Sequence, residues 1–153
     1  APKNKFALMI PAHNEEMVLG DLLENLKILK YPKELYDIYV IADNCTDSTA
    51  EVAHRHGAYV LERCNKELGG KGYAMDWAFP KIFETGRHYD AFCVFDADNL
   101  VHLDFLAVMN TRLMRKFFKD TYPLKIRWIL GYRVLLRLLS GLSIICGILE
   151  SII

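Results

Sequence analysis

The chain has 153 residues, 52% of them hydrophobic, enough for one domain with a real core and too apolar for a disordered segment. Its 19 Lys and Arg balance 19 Asp and Glu, yet residues 1–104 hold eleven basic against seventeen acidic side chains, and residues 105–153 hold eight against two. An acidic first part repels phosphate backbones and excludes nucleic acid as its main partner, whereas the basic tail suits an anionic surface, with a membrane foremost.

The opening residues Ala1-Pro2-Lys3-Asn4-Lys5 carry no secretory-signal pattern. Phe6 to Ile10 predicts a short buried strand stopped by Pro11. His13-Asn14-Glu15-Glu16 turns into a helix from Met17 to Lys30, with Val18, Leu19, Leu22, Leu23, Leu26 and Leu29 on one face and Tyr31-Pro32 as its stop. Ile38 to Ala42 is a second strand, and Asp43-Asn44-Cys45-Thr46-Asp47-Ser48-Thr49 leads into a second helix, with Thr46 or Asp47 as N-cap and Gly57 as stop. A third strand spans Ala58 to Glu62. A polar loop ending Leu68-Gly69-Gly70-Lys71-Gly72 precedes a helix from Tyr73 to Gly86 that Pro80 should kink or break. Tyr89 to Phe95 is a fourth strand, and Leu100 to Leu113 repeats apolar residues at helical spacing. Strand alternating with helix predicts a mainly parallel, three-layer α/β/α sandwich.

The four cysteines, Cys45, Cys64, Cys93 and Cys146, form no C-x-x-C pair, which points away from structural zinc and toward a reducing compartment. From Leu124 the chain is strongly apolar but punctuated by Lys125, Arg127, Arg133 and Arg137. Its longest uncharged run, Leu138 to Leu149, is shorter than the roughly 20 residues that span a bilayer. The expectation is a domain over 4–114 and a basic, apolar tail over 115–153, the tail forming an amphipathic helix that lies in or enters a membrane interface, or covers the sheet.

The chemistry gathers at the strand-to-helix junctions, which in a parallel sheet share one edge. Asp96 and Asp98 follow the fourth strand. In an extended step side chains at i and i+2 point the same way, and two converging carboxylates favour a hard cation such as Mg²⁺ or Mn²⁺. The same residues also suit a turn and a helix cap. Glu15 and Glu16 suit a helix N-terminus, Asp43 and Asn44 suit a turn, and Lys71 suits a solvated loop. Together, however, a glycine-flanked lysine, a carboxylate on the second strand and a pair of metal-ligating carboxylates are the parts needed to hold a nucleoside diphosphate. Lys71 is followed by Gly72 rather than Ser or Thr, so the loop is not a Walker P-loop, and no G-x-G-x-x-G follows the first strand.

Four ordered stretches carry a resemblance: Ile10-Pro11-Ala12-His13-Asn14-Glu15-Glu16, Ile41 to Thr49, Gly70-Lys71-Gly72-Tyr73-Ala74-Met75-Asp76 and Phe95-Asp96-Ala97-Asp98-Asn99. Over residues 4–113 the sequence resembles the family 2 glycosyltransferases, inverting enzymes of GT-A fold that include membrane-bound polysaccharide synthases. The resemblance implies that Pro11, Ala12 and Glu15 line a nucleotide pocket, that Asp43 binds the uracil of a UDP-sugar and that Lys71 neutralises diphosphate charge. It further implies that Asp96 sits by the ribose or sugar phosphate, that Asp98, with Asp96, ligates Mn²⁺ or Mg²⁺, and that Asp76 touches the donor. The acceptor would be a glycan or lipid-linked molecule at the cytoplasmic face of the cell membrane.

An inverting transferase also needs a general base for the acceptor hydroxyl. After Asp104 the carboxylates are Asp120 and Glu150, of which Asp120 in Lys119-Asp120-Thr121 is the weak candidate. Lys125-Ile126-Arg127-Trp128 resembles the Arg-Trp part of the processive enzymes' Q-x-x-R-W motif, with Leu124 in place of Gln. That likeness would put Arg127 near the diphosphate and Trp128 near the acceptor. The family's domains are longer, so the acceptor half is expected to be missing, and the alternative activity is donor binding without turnover.

Overall fold

In the computed structural model, residues 1–117, 127–129, 132–139 and 142–148 are described, with side chains for residues 1–113. The elements in order are β1 (Phe6–Ala12), α1 (Leu19–Lys27), β2 (Tyr36–Asp43), α2 (Thr49–Arg55), β3 (Tyr59–Arg63), α3 (Lys71–Glu84), β4 (Ala91–Val94), α4 (Phe105–Phe117), β5 (Arg127–Ile129), β6 (Tyr132–Leu139) and β7 (Leu142–Ile148). The sheet order is β3-β2-β1-β4-β7-β6-β5. The first four strands are mutually parallel, β1 pairing Phe6 with Tyr36 on one side and with Ala91 on the other. β7 continues parallel to β4, and β5, β6 and β7 pair antiparallel.

Alternation along β1 builds two cores. Phe6, Leu8, Ile10 and Ala12 face a layer that takes Leu19, Leu22, Leu23 and Leu26 of α1, Val52 of α2 and Leu106 of α4. Ala7 and Met9 face the other layer, which takes Ala74, Met75, Ala78 and Ile82 of α3. The result is the three-layer α/β/α sandwich that strand–helix alternation predicts.

Several local expectations are corrected. β1 does not stop at Pro11 but runs to Ala12, because β4 pairs only as far as Met9 and Pro11 has a strand neighbour on one side alone. Helix α1 is shorter than the apolar stripe predicts, starting at Leu19 after backbone turns at Glu15. The N-cap position of α2 is Ser48, yet Asp47 still serves the helix start, its Oδ1 accepting from the Thr49 N–H at 3.0 Å and the Thr49 hydroxyl at 2.6 Å. Gly57 does end α2, at φ 74°. Helix α3 is not broken at Pro80. The Asp76 carbonyl that loses its intrahelical donor there belongs to an exposed residue, where water can serve it.

The tail departs most. Where a C-terminal helix is expected, residues 127–129, 132–139 and 142–148 form strands. Short apolar runs rich in Ile, Val and Leu do not fix their own period, and the outer edge of β4 offers unpaired backbone groups that a strand satisfies and a helix does not. Among the described residues no helix is long and apolar enough to cross a membrane.

At the edge of the sheet where the parallel strands begin, Asp37 pins several elements. Its Oδ2 accepts from the Tyr89 hydroxyl at 2.5 Å and from Arg87 at 3.2 Å, and lies 3.3 Å from the Lys5 ammonium. Burial raises the Asp37 carboxyl, but these donors outweigh it and hold it below the ordinary aspartate value. A depressed carboxylate stabilises the fold above its unfolded pKa of about 4, and that contribution is lost as pH falls through the lower folded value. Asp37→Asn should therefore cost about 1–2 kcal/mol at neutral pH, and the deficit should shrink as pH drops below about 4. Urea titrations of both chains across pH 2.5–7 check this, and a deficit that does not change with pH overturns it.

Candidate functional site

Because the first four strands are parallel, their C-terminal ends share one edge, and the loops after β1, β2 and β4 open there together with the start of α3. They enclose a cavity of about 520 Å³. Its walls include Pro11, Ala12 and Glu15 from the first junction and Asp43 from the second, and across from them Lys71, Asp96 and Asp98. Those seven expected site residues are thus brought together. Asp76 is not: it is exposed on α3 and does not line the cavity. Arg127 and Trp128 lie on β5, beyond the residues whose side chains are described, and Asp120 and Glu150 fall outside the described residues.

The loops are held by one another. Thr49 Oγ1 accepts from the Glu15 N–H at 2.8 Å, Asp47 from the Glu16 N–H at 3.1 Å, and Glu16 from the Ser48 N–H at 2.9 Å. Asn14, at φ 55°, accepts from the Thr46 N–H at 2.7 Å. The donors from Thr49 also hold the Asp47 carboxyl below its ordinary value against the raising effect of burial. Cys45 packs beneath, its thiol pushed up by burial and directed at the Ala12 carbonyl at 3.4 Å. It is therefore a protonated packing group rather than a nucleophile.

Asp43 is 5% exposed and does not stand alone. Arg63, itself 7% exposed, reaches its Oδ1 at 2.5 Å, and the Asn44 amide reaches the same oxygen at 3.2 Å. Oδ2 is left as the oxygen that a ligand in the cavity can address. His13, exposed in the cavity wall, bonds the Asp43 carbonyl through Nδ1 at 2.7 Å. A carbonyl only accepts, so Nδ1 carries the proton and Nε2 is the free acceptor of the neutral ring. Opposite, the Lys71 ammonium contacts the Asp96 carboxylate. Asp96-Ala97-Asp98 is a turn rather than an extended step, with the Asn99 N–H bonded to the Asp96 carbonyl at 3.2 Å, so the two carboxylates line one cavity for a different reason than strand alternation predicts.

Arg63 and His13 have no role of their own in the sequence reading, and Asn44 has only that of a turn residue, which its positive φ fits. Arg63 had a signal: it stands opposite Asp43 in the β2–β3 register, opposite charges at equal distance from two strand ends. Asn44 is at φ 52° and exchanges bonds with Asn65, donating to its carbonyl at 3.0 Å and accepting from its N–H at 2.7 Å.

Comparison with known proteins follows the same lines. The family model described as glycosyltransferase-like family 2 matches residues 2–120. The chain is 35% identical over 105 residues to a beta-monoglucosyldiacylglycerol synthase of Nostoc sp., covering 65% of this chain and 21% of that protein. It is 32% identical over 101 residues to a probable glycosyltransferase, YdaM, of Bacillus subtilis, covering 62% and 23% respectively. It therefore spans about a fifth of the length of these curated relatives. Among solved structures, Staphylococcus aureus TarS in complex with UDP-GlcNAc superposes with a TM-score of 0.62 at 19% identity, over 72% of this chain and 31% of that one. A mannosyltransferase from Pyrobaculum calidifontis in complex with GDP-Man and Mn²⁺ superposes with a TM-score of 0.59 at 21% identity, over 79% and 35%. At those identities the likeness establishes the fold.

A consequence for Asn44 can be measured. Asn44→Gly loses the bonds to Asn65 but keeps the left-handed conformation freely, while Asn44→Ala loses the same bonds and adds about 1 kcal/mol of backbone strain. The alanine variant should melt below the glycine variant, and the reverse order in a thermal scan would refute the assignment.

Proposed function

Since the chain belongs to the glycosyltransferase-like family 2, we propose that it is the nucleotide-sugar-binding part of an inverting glycosyltransferase of GT-A fold. The observation that carries this reading is the convergence of Asp43, Lys71, Asp96 and Asp98 on one cavity at the carboxyl edge of a parallel sheet. The donor is a UDP-sugar: the free oxygen of Asp43 accepts from the uracil N–H, and Pro11, Ala12 and Glu15 form the wall beside it. Lys71 takes the diphosphate, and Asp96 the ribose or sugar phosphate. The relatives solved with UDP-GlcNAc and GDP-Man support a nucleotide-sugar donor as the ligand class.

The residues fit a divalent cation. Asp96 and Asp98 supply hard carboxylate oxygens on one wall, and no group of three His, Cys, Asp or Glu able to hold a metal exists among the described residues, so donor phosphates would complete the shell. Asp98, with Asp96, would hold Mn²⁺ or Mg²⁺, which supplies positive charge where the departing nucleoside diphosphate gains negative charge. Lys71 adds a second positive charge to the same end of the cavity. Asp76 is proposed only as an outer contact to the donor, and Asp120 as the base for the acceptor hydroxyl.

We further propose that residues 4–114 are the binding domain and that the basic tail, residues 115–153, meets the cytoplasmic face of the membrane. There Arg127 would attend the diphosphate and Trp128 the acceptor, a glycan or a lipid-linked molecule. The named glycolipid synthase among the relatives supports a lipid-linked acceptor. The second reading is donor binding without turnover by these residues.

Calorimetry with UDP and Mn²⁺, run beside an assay for UDP release from UDP-sugars, separates the two readings. Binding with release supports the enzyme, binding without release supports the second reading, and no binding refutes both. Asp98→Ala should abolish the strengthening of UDP binding by Mn²⁺ and lower any turnover at least about 100-fold, while leaving the fold intact. Unchanged Mn²⁺ dependence would remove Asp98 from the site.

A further inference from the structure

Arg63 has more to do than neutralise Asp43. Its guanidinium divides, NH1 holding Asp43 Oδ1 at 2.5 Å and NH2 holding the Leu68 carbonyl at 2.6 Å. Leu68 stands immediately before Gly69-Gly70-Lys71, so the pinned carbonyl lies three residues from the lysine, at most about 11 Å of extended chain.

Packing does not hold this loop. A side-chain carbon added at Gly69, Gly70 or Gly72 would meet nothing within 4 Å, and Gly70 sits at φ 111°. Lys71 opens α3, whose core packing holds the helix, but the two glycines before it leave the loop's approach to that first turn to polar contacts. Further back, Asn65 is tied to Asn44, and its side chain accepts from the Glu67 and Leu68 N–H groups at 3.1 Å. On the helix side the Ala74 N–H bonds the Gly70 carbonyl at 3.0 Å, and before the two glycines the bond from a side chain outside the loop is the one from Arg63 to the Leu68 carbonyl. At its other end the Lys71 ammonium contacts Asp96.

A buried ion pair adds little net stability, because desolvating both charges offsets their attraction. A guanidinium is suited to this position for another reason. Its planar fork addresses two acceptors in fixed relation, which a lysine ammonium does not do.

We propose that Arg63 is a positioning residue that couples the nucleobase end of the cavity at Asp43 to the diphosphate end at Lys71. This rests on the nucleotide-binding reading above. A base that engages Asp43 Oδ2 steadies the carboxylate, the carboxylate steadies the guanidinium, and the guanidinium holds the Leu68 carbonyl and with it the placement of Lys71. Coupling of this kind is reciprocal, so a diphosphate at Lys71 strengthens base binding by the same factor.

The test is a double-mutant cycle with Arg63→Lys and Lys71→Ala, read by calorimetry with UDP and with uridine, which lacks the phosphates. Arg63→Lys keeps the charge beside Asp43 but gives up the fork. It should weaken UDP about tenfold and uridine less than about twofold, and in the Lys71→Ala background it should cost UDP nothing further. Equal losses for UDP and uridine, or costs that multiply in the double variant, overturn the proposal in favour of a purely structural ion pair. Should Arg63→Lys fail to fold, hydrogen exchange on the unaltered chain decides: uridine alone should slow exchange at the Leu68 and Gly70 amides. Exchange there unchanged while uridine protects the residues around Asp43 overturns it. If the unaltered chain binds neither ligand, the functional reading fails. Faster exchange over residues 66–71 in ligand-free Arg63→Lys than in the unaltered chain would still support the hold on the loop, and equal exchange would refute it.

Discussion

Parallel pairing of β1 between β2 and β4 is the constraint from which the rest follows. Once three strands run the same way, each return must be made by a crossover on one face or the other, and every strand-to-helix junction emerges at the same edge. Alternating side chains on β1 then serve both helical layers, so the strand that fixes the topology also joins the two cores. Polar residues of the strand-to-helix junctions are thereby brought to one edge, as those around Asp37 are at the other. The cavity is where those of the junctions collect.

That edge is built by polar contacts more than by packing. The loops after β1 and β2 exchange backbone and side-chain bonds through Asn14, Glu16, Asp47 and Thr49, and the loop after β3 hangs from Asn44 and Arg63. Polar loops of this kind keep their shape in the presence of water and still present charged groups to it, which suits an anionic ligand. The charges are also sorted: the Asp43–Arg63 pair sits under one wall, and Lys71 with Asp96 and Asp98 on the facing wall. With two carboxylates against one ammonium, the second wall is negative by itself, so an anionic ligand there calls for a cation between.

The membrane reading rests on different ground from the site reading. It comes from the charge excess of residues 105–153 and from the glycolipid synthase among the relatives, not from an apolar helix.

Much of the chain was legible in its sequence because local chemistry and global fold agree. Alternating strands and helices gave the three layers, Gly57 gave the stop of α2, and four ordered motifs pointed to the family and to seven residues that do line one cavity. Positions that depended on neighbours were read less well. Pro11 stays in a strand because β4 stops short of it, Pro80 stays in a helix because its orphaned carbonyl belongs to an exposed residue, and residues 132–139 and 142–148 pair beside β4, whose open edge no local pattern reveals. Asp43 and Lys71 could be named from their motifs, but Arg63, whose guanidinium bonds Asp43 and the Leu68 carbonyl, was not. Arg63 is 20 residues from Asp43 in the chain, and only strand pairing across the sheet sets the two charges side by side.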